Sequence, residues 1–410
     1  MKTKERIKTI LLVVLLFGAV FLSYLVWTNY TGNVGGSGAQ SITTGTTTAR
    51  QSGATPFAIT YKTDAGRYGA AYHGGSVKSV YDKVSSTIAT ALNDDLRRIN
   101  ESTWSDALSL KGILVDYEGN LPLFMIGKDL GISDKMPEVY CRYLLMTEDY
   151  IYIKDTQREE YYAIPHDEGR ALNDVMAGLN ASKCALAGEL GSTRIAGETP
   201  VFEQNISSFT INSINVTDGL TDGQIASLLK IFGINYNTCG RHIEQDGSRV
   251  YIEDLNTLKI APDGYITFES EEKGELAMSI PTVGTFPTSE ELVEGSNNIM
   301  AALSAFCGGD GVLYLREVLD DGTVKYGRSY GGIPIDKSGD GYSAEIYLTE
   351  NRVTRLKFHM RAYTAGTTVV SAFPQKLAIA TVPGKSYGVL SLRYNDNSLG
   401  SIDAQWYVKK

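Results

Sequence analysis

The chain has 410 residues and a formal net charge of −9. That acidity argues against nucleic acid, whose recognition needs a basic patch, and against general adhesion to anionic lipid. With 43% hydrophobic and 21% charged residues the composition is that of a globular protein, and the length suits two or three domains of about 100–200 residues each.

The first element is residues 10–27, ILLVVLLFGAVFLSYLVW, an uncharged run. A membrane-spanning helix needs about 20 mostly apolar residues. The run reaches that length with its flanks, so residues 10–28 read as a transmembrane signal anchor. Lys2, Lys4, Arg6 and Lys8 precede it against the single acid Glu5. The positive-inside rule then keeps residues 1–9 in the cytoplasm and puts the bulk of the chain outside, as in a single-pass protein of the cell membrane. A cleaved signal peptide competes with this reading, but its apolar core would span only about 7–15 residues. Gly18, Ala19 and Ser23 offer small side chains on the span, a candidate contact for a second membrane helix. Residues 29–56 are rich in Gly, Ser and Thr with almost no large apolar side chains, which reads as a flexible stalk.

From residue 57 the expected class is α+β, with helices packed on antiparallel sheets. Residues 57–198 form an N-terminal α+β region. Val77, Val80, Val84, Ile88, Leu92, Leu96 and Ile99 recur at three- and four-residue steps and predict a helix over 76–100. GILVDYEG, VYCRYLLM, DYIYIKD and EYYAIP are aromatic and β-branched runs, the mark of strands. Leu172, Val175, Met176 and Leu179 mark another helix. Residues 199–286 and 287–410 then read as two modules, each a helix followed by an antiparallel sheet. Thr221-Asp-Gly-Gln224 and Thr288-Ser-Glu-Glu291 both fit a capping box at the helix starts. Asp321-Gly322 signals a hairpin. A long alternating strand is predicted from Arg352 to Tyr363, and KLAIATV, YGVLSLRY and IDAQWYVK close the sheet.

Few constellations carry chemistry. Gly327-Arg-Ser329-Tyr-Gly331 matches the GxSxG pattern, and Asp336 and His359 follow in hydrolase order. That nucleophile needs a sharp strand-to-helix turn, whereas the flanks here read as strands. Asp336-Lys-Ser338-Gly-Asp340-Gly341 resembles the start of a calcium loop. Its twelfth position is Tyr347, which cannot supply the bidentate acid, and an ordinary turn explains the same residues. Cys141, Cys184, Cys239 and Cys307 are far apart with no zinc spacing, and whether any of them pair is left open. The four histidines form no HExxH. No catalytic residue, metal site or cofactor is expected. Along Arg352–Tyr363, Leu356, Phe358, Met360 and Ala362 point one way and Arg355, Lys357, His359 and Arg361 the other. The plain reading is a half-buried strand with a solvated face; the sharper one is a basic stripe facing an acidic partner.

Both ends of the sequence resemble a known family. The opening MKTKERIKTILLVVLLFGAVFLSYLVWTNY looks like the start of the YycH/YycI proteins of Gram-positive bacteria. A Gly-x-Pro-x turn at Gly332 and Pro334, the strand RVTRLKFHMRAY and the closing DAQWYV (Asp403 to Val408) are similar to their C-terminal part. Length and a two-part ectodomain favour the YycH branch. The long stalk and the four cysteines depart from the family pattern. The resemblance implies a single-pass, extracytoplasmic accessory of the sensor histidine kinase WalK (YycG), which governs cell-wall metabolism. It implies no catalysis. Its partners would be a WalK-like kinase and a YycI-like single-pass protein, met through the membrane helix and the ectodomain. A binding module for an envelope ligand, independent of any kinase, is the alternative, and a serine hydrolase using Ser329 the third reading.

Overall fold

A computed structural model of the chain describes residues 51–409, except residues 55, 64–65, 73, 93–94, 133–135, 180–183, 193, 203–209, 219, 272–277, 285, 337–341, 373, 383–387 and 398. The anchor at 10–28 with Gly18, Ala19 and Ser23, the segment 1–9 and nearly all of the stalk lie outside the described residues. So does most of the calcium-loop look-alike after Asp336. No helix among the described residues is long and apolar enough to cross a membrane.

The aromatic and β-branched runs of the first half pair into an N-terminal sheet. Its order is Tyr68–Tyr72, Ala58–Lys62, Gly112–Pro122, Tyr140–Thr147, Tyr150–Asp155, Glu160–Pro165 and Arg97–Ile99, each antiparallel to the next. Both faces are covered, which explains runs apolar on successive residues rather than on alternate ones. The helix Gly74–Ala91 buries Val77, Val84 and Ile88 with Ile59, Val115 and Leu144 on one face. On the other face lie the helix Glu101–Ala107 and the hairpin of Cys184–Leu186 with Pro200–Phe202. There Trp104, Leu114, Tyr143, Leu145 and Phe202 cluster. The helix expected over 76–100 stops at Ala91, and Arg97–Ile99 become a strand. Ladder bonds to the open edge at Tyr161–Ala163 outweigh the apolar period that runs on to Ile99.

Further on, the helix Ile225–Ile231 precedes the strands Gly240–Ile243, Arg249–Glu253, Asn256–Ile260 and Tyr265–Ser270, each antiparallel to the last. The helix Ser289–Ser304 precedes Val312–Val318, Thr323–Tyr330, Ala344–Thr349 and Arg352–His359, paired in the same way. The helix Ser289–Ser304 begins as its capping box requires, with Glu291 accepting from the Thr288 N–H at 2.8 Å. The Thr221 box, with Gln224 accepting from the Thr221 N–H at 2.9 Å, opens instead a 3-10 turn, Asp222–Gln224, that leads into Ile225–Ile231. The last strands of the two units pair antiparallel, with Thr267 opposite Lys357, and make one central sheet. The pairing has an internal two-fold. It matches Phe268 with Phe358, Leu258 with Ala344 and Tyr251 with Tyr326, all of them buried.

The strand predicted from Arg352 to Tyr363 breaks at Met360. Beyond it, Arg361–Ser371 leaves the central sheet to pair with Thr210–Asp218, which also holds Gly400–Ile402. KLAIATV forms a helix, Gln375–Ala380, instead of a strand. Pro374 pre-sets its entry, and the Gln375 amide satisfies Phe202 N–H and Pro200 C=O, each at 2.9 Å. A second core gathers Ile214, Val216, Tyr363, Leu392, Tyr394 and Trp406. The architecture is α+β and mostly sheet, with seven α-helices among the described residues.

Candidate functional site

The N-terminal and central sheets meet where Gly112–Pro122 reaches the edge of Val312–Val318, with Asn120 opposite Glu317 in parallel. The strand bulges there. Its register slips between Asp116 and Leu121, and Glu118 has a φ of 65°. The next residue is Gly119, where a Cβ would run into the Arg316 backbone. Glu118 is only 3% exposed. Its carboxylate meets Arg393 and, at 3.2 Å, Arg316. Arg393 Nη1 donates to both oxygens of Asp336, at 2.8 and 2.9 Å, and Arg316 Nη1 lies 3.6 Å from the same carboxylate. Two acids and two guanidiniums from different strands therefore alternate in a charge-balanced ring. Desolvation opposes the charge on Arg393, but Glu118 and Asp336 outweigh it and push its pKa up.

Beside the ring lies a cavity of about 40 Å³ lined by Asp116, Glu118, Glu198, Thr199 and Pro334 among others. Such a volume suits a few water molecules rather than a substrate. Burial pushes the Asp116 carboxyl up, although Arg142 Nε sits 3.3 Å away. Glu198 accepts from Trp104 Nε1 at 2.9 Å and pairs with Lys154. The Lys154 ammonium stands 5.7 to 5.9 Å from the rings of Trp104, Tyr143 and Tyr161, within cation–π range. Gly332 and Pro334 line the cavity, and Trp406 meets Tyr72 edge-on at 5.5 Å. These charges are spent on each other, so the arrangement holds two sheets at a fixed geometry rather than offering a nucleophile, base or ligand set.

The residues singled out in the sequence do not converge on one site. Ser329 lies inside the strand Thr323–Tyr330, and its Oγ donates to Val312 C=O at 3.5 Å. A turn and the strand Ile333–Asp336 follow it, not a helix, so the oxyanion donors of a hydrolase elbow are missing there. Asp336 is held in the ring. Arg355 is exposed with its guanidinium 3.7 Å from the centre of the Tyr347 ring, and Lys357 lies 3.7 Å from Glu345. His359 and Arg361 are buried, at 3% and 6% exposure. Arg361 donates to His359 Nε2 and to Asp218, both at 3.1 Å. The stripe divides because the chain changes sheet at Met360, so the alternation no longer faces solvent. Cys141, Cys184, Cys239 and Cys307 are free and buried. No group of three or more His, Cys, Asp or Glu among the described residues could hold a metal ion.

No protein-family model matches the chain, and no curated protein sequence does. The fold is similar to the crystal structure of YycH from Bacillus subtilis, with a TM-score of 0.52 at 10% identity, covering 88% of this chain and 98% of that one. The likeness is one of fold. Sequence reasoning missed the ring and the Glu198–Lys154 pair. The only local signal was Glu118-Gly119-Asn120 inside an apolar strand, since an isolated Gly there suggests a bulge.

Proposed function

We propose that the chain is a non-enzymatic, membrane-anchored regulator of a two-component sensor histidine kinase controlling cell-wall metabolism. The observation that carries this reading is the YycH-like fold over nearly the whole of both chains. The family resemblance of residues 1–30 and of the C-terminal motifs supports it. In this reading residues 10–28 anchor the chain with its bulk outside the cell, and Gly18, Ala19 and Ser23 face a partner helix. The sheets outside the membrane meet a YycI-like protein and the kinase's outer part. Regulation needs only that the bound partners favour one kinase state over another, and a coupling of about 1–3 kcal/mol is typical. The two-sheet joint suits this role, because a charge-balanced, buried ring fixes the relative placement of two contact surfaces.

The test is recovery of partners from solubilised membranes, with the native chain and with residues 10–27 replaced by an unrelated apolar helix. The native chain should bring down a sensor kinase and a second single-pass protein. Loss of the kinase on replacement places that contact in the bilayer; retention places it outside. Recovery of neither, even after cross-linking, overturns the proposal in favour of an envelope-ligand module. That second reading needs a deep pocket with free aromatic faces. A second concavity, about 560 Å³, is an open groove of mixed polar and apolar lining in which Arg355 already covers Tyr347.

A further inference from the structure

We propose that the edge strand Gly240–Ile243 is a docking edge that takes an extended, acid-bearing segment of another protein as an added parallel strand. The proposal rests on the reading of the chain as a protein-contact regulator and names the surface it would use.

The internal two-fold of the central sheet supplies the argument. It equates the first strand of the second unit, Val312–Val318, with the first strand of the first unit, Gly240–Ile243. The edge of Val312–Val318 is covered. Gln51–Ser52 run parallel to it opposite Leu313 and Tyr314, and Asn120 bridges Glu317. Among the described residues, the equivalent edge of Gly240–Ile243 has no such cover: its one ladder is with Arg249–Glu253, and Gln51–Ser52 pair with Leu313 and Tyr314 instead. Every residue of this strand is exposed, and Ile243 reaches 73%. A strand edge with unpaired N–H and C=O groups is a template for another chain.

Charge selects the occupant. Arg241 and Ile243 are two residues apart, so they share a face. The Arg241 guanidinium stands 4.6 Å from the centre of the Tyr236 ring, which holds it in place. A second copy adding antiparallel about a two-fold would set Arg241 opposite Cys239, Arg241, Ile243 or Gln245 in the four registers centred on this strand, never opposite an acid. Like charges directly opposite are destabilising. A segment carrying an acid and an apolar residue two positions apart meets both Arg241 and Ile243 without that penalty.

The experiment uses the full chain in a nonionic detergent and an acetylated peptide, Thr-Glu-Thr-Val repeated twice, with a Lys-for-Glu peptide as control. Hydrogen exchange should slow at Gly240–Ile243 with the Glu peptide and not with the Lys peptide. Arg241→Glu should weaken the Glu peptide about tenfold and strengthen the Lys peptide, since an attraction becomes a repulsion. Ile243→Lys, at an exposed position, should weaken it without moving the Tm. Absence of protection at Gly240–Ile243 at saturating peptide overturns the proposal, as does an Arg241→Glu chain that binds both peptides as before. A chain that still recovers its kinase but shows no protection here loses the edge and keeps the regulator. Protection without any kinase does the reverse.

Discussion

Glu118 occupies a left-handed backbone conformation, at φ 65°, that a non-glycine residue adopts at a cost of about 1–3 kcal/mol. What holds it there is the pair of guanidiniums from Arg316 and Arg393. Removing one partner of a buried ion pair costs about 3–5 kcal/mol, because the other charge is left unmatched. Glu118→Gly should therefore lose stability in urea even though it relieves the backbone. A gain would show that the ring contributes less than the strain. Glu198 gives a pH prediction. Burial pushes its pKa up, but the Lys154 charge and the hydrogen bonds from Lys154 and Trp104 outweigh burial, and the net shift is downward. A depressed carboxylate adds stability that is present above its unfolded pKa of about 4.5 and is lost as pH falls through the folded value. Glu198→Gln should flatten the fall of Tm below pH about 4.5. Asp116 acts the other way: its raised pKa means that ionisation above the unfolded value opposes folding.

Among the elements, the bulged strand Gly112–Pro122 and the helix Ser289–Ser304 make separable predictions. Gly119 packs against the Arg316 backbone with no room for a methyl group. Gly119→Ala should cost about 1–3 kcal/mol by overpacking, read as a lower urea midpoint at unchanged slope. Thr288 accepts from the Glu291 N–H at 3.2 Å and opens the helix. Thr288→Ala should cost about 1 kcal/mol, and an equal cost for Glu291→Ala would show that the two halves of the box act together. If Thr288→Ala is neutral, the helix is held by Leu292, Val293, Met300 and Leu303 in the core and not by its cap.

At the scale of the whole molecule, one apolar core runs through both sheets. It joins Ile59, Val115 and Leu144 of the N-terminal sheet to Phe268, Leu315 and Phe358 of the central one. The ring spans the same junction. Residues 46–410 should then unfold in one cooperative transition, with calorimetric and van't Hoff enthalpies in agreement. Two resolved transitions would mean that the sheets are independent folding units joined by a weak seam. The chain length alone suggests two or three domains, so this measurement weighs tertiary continuity against that prior.

The sequence by itself determined the local pieces. Strands follow from the runs around Val115, Leu144 and Ile153, helix starts from Thr221 and Thr288, the hairpin from Asp321-Gly322, and the apolar faces from three- and four-residue or alternate spacing. Each is a preference of backbone and side chain within a few residues, so composition and period express it. Only the tertiary structure decided that Arg97–Ile99 would be a strand and Gln375–Ala380 a helix, because each is settled by the partner it meets. It also decided that Arg361 and His359 would be buried while Arg355 stays exposed. Above all it brought Glu118, Arg316, Asp336 and Arg393 together. Their spacing along the chain carries no sign of contact, since closing such long loops is governed by the sheets that bring their ends together and not by the residues at those ends.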